Sequence, residues 1–263
     1  MKFLFLGTGA ADWPKETAHL GDAAGTDRRW TSVLVNEELL IDPNPDVPEA
    51  LRTFGADPGK IKYVLISHSH DDHYSAQTLL YLASDHVIHV YGGDGYPEKI
   101  PNHPNVIFHP IPLLKEETVG DYTVFPVFST HFVDDTLETC YHYVILQGGK
   151  TVFYGCDGAW LAPAAFQPME QYGHYDCMIM DATFGDDPMK YHIPGSHIYF
   201  YHNSVSMLKT MHHAFTVKKL IDERTVMVAD HLAKTYFPDM DSAREQFSAI
   251  GFTAVHDGMQ IVI

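Results

Sequence analysis

The stretch KYVLISHSHDDHYSAQTLL, residues 62–80, constrains this chain more than any other. An apolar, β-branched run reads as a buried strand, and SAQTLLYLAS after it reads as a helix. Between them, three histidines and two aspartates fall within the six positions 68–73. Imidazoles and carboxylates are costly beside a core unless something pairs with them. The fold must therefore carry this strand end to a place where these groups meet partners. In an extended segment residues i and i+2 point the same way, so His68 and His70 can reach one metal ion as the strand ends. Asp72 and His73 are adjacent and point in different directions, so this pair can serve a second ion beside the first.

Four ligands do not fill two sites. The chain carries 18 histidines, which is high for 263 residues. Three segments share one format, an apolar strand with a ligand residue at its exit: VFPVFSTH ends at His131, TVFYGCD at Asp157 and TVMVADH at His231. Open sites are usually built where strands give way to loops. His86, His89 and His142 lie within strands or at their starts and are set aside. Cys140, Cys156 and Cys177 are odd in number and scattered, each in an apolar stretch. They read as small buried hydrophobes, neither a disulfide framework nor a zinc knuckle.

The rest of the chain reads as strands first, then strands alternating with helices. KFLFLG (2–7) is a strand, followed by a polar, Gly-rich loop to about Arg29. TSVLVN and ELLIDP form a hairpin, and VPEALRTFG is a short helix that Gly55 can cap. HVIHVYG, NVIFHPI, YTVFPVFST, CYHYVILQ and TVFYGCD are strands. PAAFQPMEQYG is helical and YDCMIMDAT is a strand. NSVSMLKTMHHAF is a helix with Asn203 as its N-cap. RTVMVADH, the helix DSAREQFSAIG and the strand MQIVI complete the chain. The expected architecture is two packed sheets with helices outside, in one domain over residues 1–263.

Charge narrows the partners. The formal net charge is −17. Such a surface repels nucleic acid and anionic membranes, though bound metal ions can reverse the field locally for a small anion. No segment approaches the ~18 consecutive apolar residues of a membrane helix. MKFLFLGTGAAD lacks the h-region of a signal peptide. The expectation is a cytoplasmic protein with a small-molecule substrate, no nucleic-acid or membrane partner, and a homodimer left open.

HSHDDH matches the H-x-H-x-D-H motif of the metallo-β-lactamase-fold hydrolases, and His131, Asp157 and His231 follow in that family's order. The resemblance covers nearly the whole chain. It implies an α/β fold, a four-layer αββα sandwich, with the site at one edge of the sheets. It assigns His68, His70 and His131 to a first metal and Asp72, His73 and His231 to a second, with Asp157 bridging. Imidazole and carboxylate suit zinc or manganese, with iron also admitted. Two ions ~3.5–4 Å apart can share a hydroxide as nucleophile and clamp a substrate. Asp72 counts among the reacting groups as well as the ligands, and Asp71 is the motif's free position.

FLGTGAAD and RRWTSVLV resemble the phosphodiesterase branch of this superfamily, which includes tRNase Z and the PhnP-type cyclic phosphodiesterases. Members of that branch carry an acidic residue after a strand and a histidine before a helix, positions that Asp181 and His202 fit. The resemblance implies that His202 donates a proton to the leaving oxygen or holds a phosphate oxygen, with Asp181 orienting it. Two departures matter. The segment 21–29 holds no cysteine for a structural zinc, and no Gly/Pro-rich basic arm is present. A small phosphodiester, cyclic ones included, is therefore the expected substrate. A lactonase or thioesterase on the same site is the alternative, and a non-catalytic metal-binding protein ranks below it. Arg28, Arg29 and Lys234 are the cations nearest these motifs; each is expected as a solvated surface charge. Trp13, Trp30 and Trp160 are expected to serve packing.

Overall fold

The computed structural model describes residues 1–14, 22, 25–96, 98–133, 138–185 and 200–263. The first sheet is built from β1 (Lys2–Gly7), β2 (Ser32–Val35), β3 (Leu39–Ile41), β4 (Tyr63–Leu65), β5 (Ile88–Gly92), β6 (Val106–Pro110) and β14 (Gln260–Val262), in the order β14-β1-β2-β3-β4-β5-β6. The second takes β7 (Glu117–Val119), β8 (Tyr122–Phe128), β9 (Tyr141–Gln147), β10 (Lys150–Gly155), β11 (Cys177–Asp181), β12 (Val226–Asp230) and β13 (Thr253–Ala254), in the order β13-β12-β11-β10-β9-β8-β7. Both sheets follow one plan. Three antiparallel pairings lead into three parallel ones, through β3-β4-β5-β6 in one sheet and β10-β11-β12-β13 in the other. Parallel neighbours need crossovers, and the helices supply most of them.

Helices α1 (Val47–Phe54) and α2 (Ala76–Leu82) cover the outer face of the first sheet. Helices α3 (Pro163–Met169), α4 (Val205–Val217) and α5 (Met240–Ser248) cover that of the second. This explains why KFLFLG reads as unbroken apolar sequence. Phe3 and Phe5 face the other sheet while Leu4 and Leu6 face the helices, so both faces of the strand are buried. Four layers result, αββα, as the motif resemblance implied. Gly55 closes α1 at a φ of 68°, the left-handed conformation that glycine adopts freely. Helix α4 begins one residue later than expected. Ser204 is its cap, accepting from the Met207 amide, while Asn203 turns away to bond Gly158 and Trp160. The short strands β7 and β13 carry too few residues for an apolar pattern and were not foreseen.

The two arginines of RRW are not solvated. Arg28 is 0% exposed and Arg29 2% exposed. Arg28 donates to Thr8 Oγ1 at 2.5 Å and to the Val255 carbonyl at 2.9 Å. Thr8 in turn donates to Asp257 Oδ1 at 2.8 Å, and Asp257 Oδ2 accepts the Arg29 amide at 2.7 Å. The Arg29 guanidinium lies 3.8 Å from the same carboxylate. This chain of bonds ties the GTG turn to the connection between β13 and β14. A Cβ on Gly7 would stand 2.0 Å from the Trp30 carbonyl, so the close approach of these strands requires glycine there. Trp13 and Trp30 are buried as packing residues, Trp160 is exposed, and Lys234 stacks over the Trp13 ring at 5.2 Å. The three cysteines are free and buried.

Replacing Asp257 leaves the buried Arg29 guanidinium without its carboxylate and cuts the link from Arg28 through Thr8. Asp257→Ala should therefore lose about 3–5 kcal/mol of stability, read as a fall in the urea midpoint with an unchanged slope.

Candidate metal centre

The strands that run parallel end at one edge of the sandwich, and their exits carry the polar residues. Parallel register pairs Ile41 with Leu65, Gly155 with Met180, and Asp181 with Asp230. Asp42, His68, Asp157, Asp181 and His231 are thereby brought to a common edge. Three of these exits share a local device. Asp42, Asp157 and His231 have φ values of 61°, 58° and 61°. That left-handed turn costs a residue with a Cβ about 1 kcal/mol or more, and it swings the side chain off the strand as pairing stops. Asp and His tolerate it better than branched residues do.

Asp157 sits at the middle. It is 3% exposed, and five histidines surround its carboxylate. His68 Nε2 and His73 Nε2 lie 3.2 Å from Oδ2, and His231 Nε2 lies 3.7 Å from it. His131 Nδ1 is 3.3 Å and His202 Nδ1 3.0 Å from Oδ1. The potential ligand atoms fall into overlapping groups, each within 4.8 Å: His68, His70, His131 and Asp157, then Asp72, His73, Asp157 and His231. A third group joins Asp157 and His231 to Asp181 and His202. All seven expected ligand residues thus converge, and Asp157 belongs to both expected sets. Asp71, the variable position of the motif, is exposed.

The backs of the histidines are already engaged. His73 Nδ1 donates to Asp42 Oδ2 at 2.9 Å, and His68 Nδ1 faces Ser67 Oγ at 2.9 Å. His231 Nδ1 faces Thr183 Oγ1 at 2.9 Å. Each ring therefore turns its Nε2 inward, the arrangement by which an outer partner orients a metal-ligating imidazole. Inward-facing nitrogens then crowd one another: His68 Nε2 is 3.1 Å from His70 Nδ1, His131 Nε2 is 3.0 Å from His70 Nδ1, and His73 Nε2 is 3.2 Å from His231 Nε2. Two buried polar atoms, His131 Nδ1 and Asp157 Oδ1, have no hydrogen-bond partner. Converging lone pairs and orphaned acceptors fit divalent cations, and the donor set is nitrogen and oxygen throughout. Cys156 adjoins Asp157, yet its thiol faces Asp230 at 3.7 Å and belongs to none of the ligand groups.

Electrostatics follow from crowding. Burial pushes His131 down to about 3, against the opposing pull of Asp157. Burial also disfavours a charged His202, but Asp157 and Asp181 outweigh it and push that imidazole up to about 10. Asp181 is fully buried, and its carboxylate accepts from His202 Nδ1 at 2.9 Å, the Asn203 amide at 2.9 Å and Thr183 Oγ1 at 3.1 Å. The expected pairing of Asp181 with His202 is present. A cavity of about 450 Å³ opens on the centre. Ala10, Ala11, Phe184, Ala233 and Tyr236 form its apolar side.

Two residues of the centre were missed in the sequence. Asp42 is 0% exposed and bonds Ser67, His73 and Tyr154. Its signal was available, since ELLID has the same strand-exit format as the ligands, but an Asp-Pro pair also reads as a turn. Thr183, which joins His231 to Asp181, had no comparable signal.

A family model described as a β-lactamase superfamily domain matches residues 37–233. Curated protein sequences give no significant match. Solved structures resemble the chain along its whole length. Zinc-bound PqqB from Methylobacterium extorquens shares 19% identity over 100% of both chains, with a TM-score of 0.76. The metallo-β-lactamase fold protein YhfI from Bacillus subtilis shares 18% over 99% of this chain and 98% of its own, at 0.73. The short form of human tRNase Z shares 18% over 100% and 99%, at 0.69. At such identities the likeness establishes the fold.

The geometry separates the two expected sites. Asp157→Ala should lower metal content at both, whereas Asp72→Ala should deplete mainly the second, as read by elemental analysis of purified protein. Asp42→Ala should weaken the second ion about 10- to 100-fold through the loosened His73 ring, as read by chelator competition.

Proposed function

The chain belongs to the β-lactamase superfamily, and from that premise we propose that it is a dinuclear metal-dependent hydrolase of a small phosphodiester. The observation that carries this reading is Asp157, a buried carboxylate shared by two histidine groups and faced by a third pair, His202 and Asp181. His68, His70 and His131 would hold one ion and Asp72, His73 and His231 the other, with zinc or manganese matching the nitrogen and oxygen donors. When bound, such ions acidify a coordinated water toward neutral pH and draw in negative charge.

The chain's own residues supply the remainder. Asp181 holds His202 by Nδ1, and Asn203 and Thr183 hold Asp181. Nε2 is the nitrogen left on a ring that lines the cavity. His202 then carries a proton to the leaving oxygen, and Asp181 keeps the ring oriented and charged. Thr183 Oγ1 lies 2.9 Å from His231 Nδ1 and 3.2 Å from His202 Nδ1, so the acid and one ligand share a support. The net charge of −17 supports a small substrate over nucleic acid.

One observation favours a second reading. Among the described residues lining the cavity none is Arg or Lys, and one side is apolar. A neutral lactone or thioester suits such a wall better than an anionic phosphodiester.

Turnover of bis-p-nitrophenyl phosphate against panels of lactones and thioesters by the metal-loaded protein separates the two. Lactone turnover without phosphodiester turnover would reject the first reading. His202→Ala should retain both ions and lose about 100-fold or more in kcat; an unchanged rate would remove His202 from the acid role.

A further inference from the structure

One buried carboxylate outside the centre has a set of partners that its surroundings alone do not require. Glu138 lies ahead of β9, and its side chain is 3% exposed. Its Oε1 accepts the backbone amide of Ser69 at 2.7 Å, and its Oε2 accepts the Ser69 hydroxyl at 2.6 Å. Lys99 Nζ donates to Oε2 at 2.6 Å and also bonds Ser69 Oγ. The Tyr96 hydroxyl, which reaches the Ser67 carbonyl at 3.1 Å, is within hydrogen-bonding reach of the same carboxylate.

Ser69 is the residue between His68 and His70. Grasping both its amide and its hydroxyl with one carboxylate fixes the peptide linking the two histidines and the rotamer of the residue between them. That linkage lies beyond the end of β4, where no ladder bond holds it. The third histidine of this ligand group, His131, stands seven residues before Glu138 on the same connection from β8 to β9. Ser129 N bonds the Cys140 carbonyl and Tyr141 N bonds the Ser67 carbonyl, so this connection is tied at both its ends. The second ligand group is held from behind by Asp42 and Thr183, and Asp42 also reaches His68 through Ser67.

We propose that Glu138 is a positioning residue for the first metal: its clasp on Ser69 sets the spacing of His68 and His70 and fastens their loop to the one that bears His131. This rests on the two-ion reading above. A residue that orients ligands from outside tunes the affinity of the site those ligands form.

The test is zinc(II) binding by the intact protein, read by chelator competition, with His131→Ala identifying which step belongs to the first site. Glu138→Ala should weaken that step about 10- to 100-fold and leave the other within about threefold. Cobalt(II) loaded into the same variant should show an altered visible spectrum for the first site only. Glu138→Gln keeps an acceptor for Ser69 and should recover part of the loss. If Glu138→Ala does not fold, Glu138→Gln and Ser69→Ala decide by the same selective weakening. Wild type binding two zinc ions, with both steps intact or equally weakened in the variants, overturns the clasp alone. Wild type binding fewer than two overturns the two-ion reading and the clasp with it.

Discussion

A carboxylate buried among imidazoles organises this molecule. Asp157 is nearly inaccessible, and five histidines reach it within 3.7 Å. A charge so placed persists only if opposite charge or coordination surrounds it. The surrounding groups come from both sheets: His68, His70, Asp72 and His73 from the first, His131, Asp181, His202 and His231 from the second. Satisfying one carboxylate thus requires both sheets to be in register at one edge. The interior between them, where Phe5, Leu65, Tyr154 and Val228 meet, holds that alignment.

The repeated plan of the sheets explains why the edge can be polar at all. In each, antiparallel strands lead into a parallel half, most of whose crossovers pass behind the sheet through helices. The exits of the parallel strands are left free of tight hairpins and can turn sharply. Asp42, Asp157 and His231 use that freedom in the left-handed conformation, a strain held in place by the packing around it. Outer partners then take one nitrogen of each key ring and leave the other facing inward. Strain, orientation and burial are therefore parts of one arrangement at the strand ends.

Legibility in the sequence tracked the range of each signal. Strand exits were legible because an apolar run followed by His or Asp is a local pattern, so His131, Asp157 and His231 could be read in order with HSHDDH. Asp42 had the same pattern and was lost to a competing turn reading. Arg28 and Arg29 were misjudged because their burial depends on Asp257, 228 residues from Arg29 along the chain. Glu138 and Thr183 had no local signal, since each acts on a group that folding alone brings near. The cap of α4 shifted from Asn203 to Ser204 because tertiary contacts with Gly158 and Trp160 claimed the asparagine.

By itself the sequence determined the identity and order of the polar groups and the strands that deliver them. It also determined the double-sided burial of strands such as KFLFLG. These follow from side-chain chemistry and from periodicities of two and 3.6 residues, which act over a few positions. Only the tertiary structure decided that one carboxylate would lie between two histidine groups and that His202 would rest on Asp181. It alone decided that a glutamate before β9 would grip the serine inside the metal motif. Those outcomes depend on parallel register and on the packing of one sheet against the other. Both are relations between residues far apart in the chain, whose contacts exist only once the intervening loops have closed.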